Sequence, residues 1–472
     1  MMNTFDMNDD EYFGVLAEMM NAFDMNNNEA SAVQIEQVSS KHLQPIYNSE
    51  QPVSTTKSMP LTVFDRLGED QHVSTLYAYK PPNPSNTLLE QGLRKTLSEF
   101  RECAGRFGKD DNGQTIILLN DEGMRFTEAS ANCTFDQAIP FTPSILLKLS
   151  PNLEGAEEIA LVQLTRFTCG TLVVSFSGQH IVGDGQSMVF FMVAWSQACR
   201  GLDINPRPLC NRNIFVPRNP FNNEFDHRSV EIVKRKSKYS IPLRYKEDYL
   251  VQQVLHCTPE FIAKIKSKAS SFSDANGVHR PHSTFVCLVA HLWTVITRVR
   301  GLSDSQKTYV KISVNGRRKL RPRIPDEYFG NMVLWAFPET QGKNLRGNSL
   351  SHAAEIIQKE VMKVDGNYFK SYIDFANENL NDDGLTPRKV VPSCWPNMEI
   401  QSWLGFPIKE VDFGSGKPFM YMPSFDPVEG ETYIVPSIAG DGSIDVYVTL
   451  FQQQQALFKE LFYNIYGLSS AL

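Results

Sequence analysis

The chain has no Cys-x-x-Cys pair and no dense cysteine framework: its eight cysteines, at 103, 133, 169, 199, 210, 257, 287 and 394, are scattered through 472 residues. That spacing excludes a disulfide scaffold and predicts reduced thiols in a reducing compartment. Cys199 and Cys287 fall in apolar helical patterns, where a thiol is structural far more often than nucleophilic. Long hydrophobic runs are missing too. The longest uninterrupted one, over 188–195, is far too short to span a bilayer, and the N-terminus lacks the basic-then-apolar order of a secretory signal. Positive charge is not in excess either. The formal charge is -7, and the first fifty residues hold nine acids against one lysine, leaving 45 basic and 44 acidic residues in the rest. A near-neutral body has no basic stripe for nucleic acid. These absences predict a cytoplasmic protein with neither a membrane nor a nucleic-acid partner.

What is present is an ordinary globular composition, 42% hydrophobic and 21% charged, with room for two or three domains. Residues 1–31 stand apart, rich in Met, Asn and Asp, with a near-repeat of MNTFDMN from Met2 and MNAFDMN from Met20. They read as an extension outside the fold. Tyr12, Leu16, Met19 and Phe23 share a helical face, so disorder and a short acidic amphipathic helix docking on a partner both stay open. From Val33 the pattern is mixed α/β, with strands expected over 74–79, 115–119, 161–167 and 171–177 and a helix over 88–100. Residues 203–249 carry prolines at 206, 208, 217, 220 and 242 and read as a long crossover. The basic cluster there, Lys234, Arg235, Lys236 and Lys238, suits either a phosphate-bearing ligand or a solvated linker face. Beyond it, helices are expected over 283–300 and 350–364, with strands over 308–314, 419–421, 431–436 and 444–450.

His180 is the one histidine followed four residues later by an aspartate, Asp184. It stands where the apolar run 171–177 gives way to a glycine-flanked turn, GQHIVGDG over 178–185, before an apolar helix over 186–199. Such a turn holds an imidazole rigidly beside a cavity. A side chain that titrates near neutrality, fixed by its scaffold, is what proton abstraction from an alcohol or amine requires. A hydrogen-bonded core histidine is the plainer alternative. No second His or Cys cluster lies nearby to complete a metal site.

Far downstream, VDFGSGKP over 411–418 follows NMEIQSWLGFP over 397–407. Together with HIVGD at 180–184, these segments resemble the BAHD acyltransferases, whose signatures are HxxxD near the middle and DFGWG near the end. Here the second signature is DFGSG at 412–416, with serine for the usual tryptophan in a structural loop. The intermediate blocks NIFVPRNPFNNEFDHRSVEI, HSTFVCLVAHLW, NGRRKLRPRIPDEYFGN and PSIAGDGSIDVYV stand in the expected order from about Val33 to the C-terminus. Other blocks, LTRFTCGTLVVSF, NYFKSYIDFAN and MPSFDPVEG, are similar to the agmatine coumaroyltransferase subgroup, which acylates amines with hydroxycinnamoyl groups.

The resemblance implies an α/β fold of two chloramphenicol-acetyltransferase-like domains, each of mixed sheet plus helices, over 32–202 and 250–472, joined by the crossover and enclosing a channel. It implies an acyl-CoA co-substrate, no permanently bound cofactor and a monomer. A thioester is already activated, so the enzyme needs only to deprotonate the acceptor, place it and stabilise the oxyanion. His180 would be the base, and Trp403 resembles the family tryptophan whose indole N–H reaches the oxyanion, with a core aromatic as the alternative. Asp184 would turn away from the histidine and pair with Arg317 of NGRRKL. Asp412, Phe413, Gly414 and Gly416 would support the channel rather than touch reacting atoms. Ser283 and Thr284 open a helix and suit either a coenzyme A contact or ordinary capping.

The expected acceptor is an amine such as agmatine, putrescine or an aryl alkylamine. Glu399 and Asp374 are the candidate acids for a cationic acceptor, unless they are solvated surface acids. Gln401 stands where amine-acylating relatives have an aspartate, which weakens agmatine itself. Arg388, counted back without gaps from Trp403, falls where shikimate-acylating relatives hold the acceptor carboxylate, so an O-acyltransferase of a hydroxy acid is the second reading. A catalytically silent relative that binds a ligand or partner is the third.

Overall fold

The computed structural model describes residues 33–47, 56–68, 70–227, 230–234, 250–269, 271–273, 279–379, 385–387, 394–424 and 428–465. The expected N-terminal extension, most of the basic cluster and Arg388 lie outside the described residues.

The principal elements in chain order are β1 (Ile35–Leu43), β2 (His72–Tyr79), α1 (Asn86–Leu97), β3 (Met124–Ala131), β4 (Ala160–Arg166), β5 (Leu172–Gln179), α2 (Gly185–Cys199), β6 (Leu250–Cys257), α3 (Thr284–Val299), β7 (Lys307–Asn315), β8 (Val333–Ala336), α4 (Leu350–Lys363), α5 (Gly366–Glu378), β9 (Met398–Ser402), β10 (Met420–Pro423), β11 (Glu431–Pro436) and β12 (Ile444–Phe451). They build two mixed sheets. The first is six-stranded in the order β1-β3-β4-β5-β2-β10, with β3 and β4 parallel and the other neighbours antiparallel. The second has seven strands, β6-β12-β11-β9-β7-β8 plus Glu339–Gln341 against β7, and β9 runs parallel to both β11 and β7.

The halves interlock rather than abut. β10, from late in the chain, completes the first sheet by pairing with β2. In return Val63, Phe64 and Leu67 bury in the core of the second half, where the Tyr372 hydroxyl donates to Val63 O at 3.1 Å. The crossover is stitched down by Leu209, whose N–H donates to Glu327 O at 3.0 Å and whose carbonyl accepts from Phe329 N at 3.0 Å.

Alternation along a strand sends successive side chains to opposite faces. In β9, Met398 and Ile400 pack into the second core with Ile434, Val446 and Val448. Trp403, Tyr433, Val435 and Tyr447 face the other way and join the core of the first half. One face of the second sheet thus meets its own helices and the other meets the first domain. The polar positions of β9, Glu399 and Gln401, share that second face with Trp403.

Most expected elements appear within two or three residues of their expected bounds. The strand before His180 runs on to Gln179, and the helix expected to 100 ends at Leu97. Among the principal elements, β1, β3, β6, β8, β9 and α5 were not anticipated; β1, reading IEQVSSKHL, is mostly polar and exposed on a sheet edge. The alternation of β9 gives a direct test. Ile400→Ala should cost about 2–5 kcal/mol in urea unfolding, as large-to-small core changes do, whereas Gln401→Ala should cost under about 1 kcal/mol because it faces the interdomain side.

Candidate active site

His180 follows the last residue of β5. Its N–H donates to Gln71 O at 2.9 Å, and Val182 N–H closes the turn on Gln179 O at 3.0 Å. The ring is partly exposed. Its Nδ1 is enclosed and has no hydrogen-bond partner among the described residues, whereas Nε2 is not among the enclosed atoms. The ring therefore offers one nitrogen outward. A core histidine bonded on both sides is not what the packing builds.

Asp184 is the N-cap of α2, accepting from Ser187 N at 3.0 Å, and its two oxygens also accept from Arg317 Nη1 at 2.7 Å and Nη2 at 3.0 Å. Met332 N donates to the same carboxylate at 3.1 Å. Arg317 is fully buried, with Nη2 also 3.0 Å from the Tyr328 and Gly330 carbonyls. Burial alone would push the Asp184 carboxyl up, but the Arg317 guanidinium and the amide donors outweigh it and hold the group below its ordinary value. The aspartate thus makes no bond to His180. It ties the start of α2 to the second half.

Trp403 follows β9, with its backbone N–H donating to Ile434 O at 2.8 Å. Tyr433, Tyr421 and Phe406 surround its ring at centroid distances of 4.8, 5.6 and 6.1 Å. A Cβ added at Gly185 would lie 2.9 Å from the Phe406 ring and 3.6 Å from Trp403 Nε1. Only glycine lets the first turn of α2 come this close, which brings the indole N–H to the helix that begins just after the histidine turn. That N–H has no acceptor among the described residues and is not an enclosed atom. An unpaired donor and an outward-facing imidazole nitrogen flanking one helix start are the parts that base-assisted acyl transfer needs.

The DFGSG loop is elsewhere. Phe413 packs edge-on to Trp195 and Tyr79, at 4.7 and 5.5 Å between centroids, and Asp412 approaches Arg200 at 3.8 Å. Trp195 and Arg200 belong to the far end of α2, whose 15 residues span roughly 22 Å. Asp412 Oδ1 accepts from Gly414 N at 2.8 Å and Gly416 N at 2.9 Å, and both glycines have positive φ, 109° and 84°. The substituted position, Ser415, donates to Asn83 Oδ1 at 2.9 Å.

The candidate acceptor acids differ in their surroundings. Glu399 is buried on the interdomain face, 2.9 Å from Lys311 Nζ and accepting from Gln401 Nε2 at 2.9 Å. Glu431 is its cross-strand neighbour on β11, a residue that sequence reasoning did not single out. Asp374 is 1% exposed, and its oxygens accept from Arg218 N at 2.7 Å, Arg218 Nε at 2.5 Å and Asn222 N at 3.1 Å. The acceptor contact expected of Asp374 is corrected: its carboxylate is spent holding the crossover. Ser283 caps α3 by accepting from Val286 N at 3.2 Å. A cavity of about 510 Å³ opens between β10 and the ends of β11 and β12, lined by Lys417, Phe419, Tyr421, Ile438, Asp445 and Tyr447 among others. One wall residue, Tyr421, packs against Trp403. Among the described residues no group of three or more His, Cys, Asp or Glu side chains is placed to hold a metal.

Sequence reasoning also missed a second buried ion pair beneath the histidine turn, Arg212 with Asp65, and the amide of Asn331 beside it. Asn331 closes the block NGRRKLRPRIPDEYFGN and Arg212 immediately precedes NIFVPRNPF, so their neighbourhoods carried a signal that the residues themselves did not.

A model of the Transferase family matches residues 35–465. The chain belongs to this family, the BAHD acyltransferases. It is 43% identical to agmatine coumaroyltransferase-1 of Hordeum vulgare, over 90% of this chain and 98% of that one. It is 42% identical to agmatine hydroxycinnamoyltransferase 1 of Oryza sativa subsp. japonica, over 91% and 99%. Among solved structures it resembles F. graminearum TRI101 complexed with coenzyme A and deoxynivalenol, with TM-score 0.71 and 17% identity over 85% of this chain and 96% of that one. This likeness supports the expected pair of acetyltransferase-like domains.

The Asp184–Arg317 pair contributes to the BAHD chain's stability in a pH-dependent way. Because the folded carboxyl sits below its unfolded value, the pair's contribution is present above about pH 3.9 and is lost as pH falls through the depressed folded value. Asp184→Asn should therefore cost about 3–5 kcal/mol at pH 7. Urea unfolding should show that deficit shrinking only below about pH 4.

Proposed function

We propose that this acyltransferase moves a hydroxycinnamoyl group from its coenzyme A thioester to an amine, with His180 as general base. The observation that carries the reading is the pairing of the outward imidazole nitrogen with the unpaired Trp403 indole N–H at the start of α2. His180 takes a proton from the amine as its nitrogen bonds to the thioester carbon. Trp403 Nε1 donates to the oxygen that becomes an oxyanion. Collapse breaks the C–S bond, and the proton held on His180 passes to the leaving thiolate, so no covalent enzyme intermediate is needed. Ser283 and Thr284, at the start of α3, are proposed to meet coenzyme A. Asp184, Arg317 and the Asp412 loop serve as structure.

Recognition of a second positive charge is assigned to Glu399. It shares a sheet face with Trp403 and lies four residues before it, about 13 Å along the strand, a span that a short diamine or its guanidino analogue bridges with the help of side-chain reach. In register across the sheet run Lys311, Glu399 and Glu431, two acids against one base. That excess of negative charge suits a cation better than a hydroxy acid. The two relatives named above are agmatine acyltransferases, which supports the same choice. We also propose a cytosolic monomer. No helix among the described residues is long and apolar enough to cross a membrane, and all eight cysteines are free.

An amine of pKa about 10.4 is neutral in only about one molecule in two thousand at pH 7. Turnover at saturating amine should therefore rise from pH 7 to about 9; a flat or falling profile would count against amine acylation. Purified protein incubated with coumaroyl-, feruloyl- and acetyl-CoA against agmatine, putrescine, tryptamine, tyramine and shikimate should yield hydroxycinnamoyl amides by mass spectrometry. A shikimate ester as the dominant product would favour the O-acyltransferase reading. Glu399→Gln should raise the KM for agmatine about tenfold or more and leave that for tyramine, which has no second cation, within about twofold.

A further inference from the structure

The Asp184–Arg317 pair holds the start of α2, yet three residues of the turn that leads to it, His180, Ile181 and Val182, are held by something else. Asn331 Nδ2 lies 2.8 Å from His180 O and 3.1 Å from Ile181 O, and Arg212 Nη2 donates to Val182 O at 2.8 Å. Every carbonyl from the base to the residue before Gly183 is thus engaged by a side chain from beyond the first domain. Both donors are in turn locked by Asp65. Its Oδ2 accepts from Arg212 Nη1 and from Thr62 N at 2.8 Å, and its Oδ1 accepts from Asn331 N at 3.1 Å and Nδ2 at 3.0 Å. Asp65 is fully buried, Arg212 is 5% exposed and Asn331 is 3% exposed.

We infer that Asn331 and Arg212, keyed by Asp65, are positioning residues for the reaction: they fix the peptide planes of the His180 turn and so aim its imidazole at the acceptor. His180 Nδ1 has no partner among the described residues, so no side chain orients the ring from its own end as the aspartate of a hydrolytic triad would. Its orientation then rests on the packing around its enclosed edge and on the backbone that carries it. Two side chains holding three consecutive carbonyls leave that backbone little freedom, because a planar peptide with a fixed oxygen has its neighbouring dihedrals constrained. The same clamp joins three separate segments. Asp65 comes from the loop before β2, Arg212 from the crossover and Asn331 from the loop before β8, so an aimed base requires both halves and their connection to be docked. Arginine suits the task because its fork reaches Asp65 and Val182 O at once, which a lysine ammonium cannot match in geometry.

This inference rests on His180 acting as the base, and the test separates the two. Asn331→Ala removes the donor to His180 O and Ile181 O while leaving the Asp65–Arg212 pair, and Arg212→Lys keeps the charge without the fork. Both variants should melt cooperatively and keep KM for acyl-CoA and amine within about twofold. In both, kcat should fall at least about tenfold, with the loss surviving in single-turnover amide formation, as expected when a near-attack geometry is loosened. Asn331→Asp, which turns the donor into an acceptor facing three oxygens, should be worse than Asn331→Ala. If the variants lose stability but the folded fraction turns over at the wild-type rate, or if neither accumulates as folded protein, the clamp is structural and the inference falls. A rise in KM with kcat intact would assign the residues to substrate binding and overturn it as well. If the wild-type protein itself forms no amide from acyl-CoA and amine, it is the functional reading that fails, not the clamp alone.

Discussion

The structure depends on a buried ion pair that crosses between its halves. Asp184 and Arg317 are almost wholly removed from water, a placement that costs several kcal/mol per charge unless every polar atom finds a partner. Here most do. The carboxylate takes both guanidinium nitrogens and two backbone amides, and Arg317 Nη2 continues to two carbonyls of the loop before β8. The pair gains little over an apolar contact in net energy, but it fixes how the first and second sheets sit on each other. Because Asp184 is also the N-cap of α2, the helix and Trp403 against its first residue inherit that placement.

The second sheet supplies the complementary half of the site through strand alternation. Its odd-numbered β9 positions and the residue that follows the strand, Glu399, Gln401 and Trp403, look toward the first domain, while Met398 and Ile400 seal the second core. A single strand thereby carries a buried acid, an amide and an indole donor along the line between the sheets. A polar row in an interdomain space is costly if the space is filled by protein alone, and it becomes useful when a polar substrate enters it. Lys311 neutralises part of that row, so the site presents a moderated rather than a bare negative charge.

Much of this was legible in the chain. The run of apolar β-branched residues, the glycine-flanked turn and the apolar helix around His180 produced a strand, a turn and a helix at nearly the expected bounds, because there local propensity and burial agree. In the structure the two signature segments, at His180 and at Asp412, lie by opposite ends of α2. Other features depend on register, which no local pattern carries. That Glu399 would meet Lys311 and Glu431 follows from parallel pairing of β9 with β7 and β11, and that Asp374 would be consumed by Arg218 follows from how the crossover docks. The Asp65, Arg212 and Asn331 contacts bring together residues as much as 266 positions apart, and each alone reads as an ordinary polar residue. β1 and β3 were missed because their sequences, IEQVSSKHL and MRFTEASA, mix polar residues into positions a buried strand would keep apolar.

On the proposed mechanism, one backbone-anchored imidazole removes the acceptor's proton in a direct transfer from the thioester. Single-turnover amide formation with wild-type protein and His180→Ala, each with saturating amine and limiting hydroxycinnamoyl-CoA, tests it most directly. In the variant the rate should be at least about a hundredfold lower, with melting unchanged and tight thioester binding retained. Amide formation at the wild-type rate without that imidazole would contradict it.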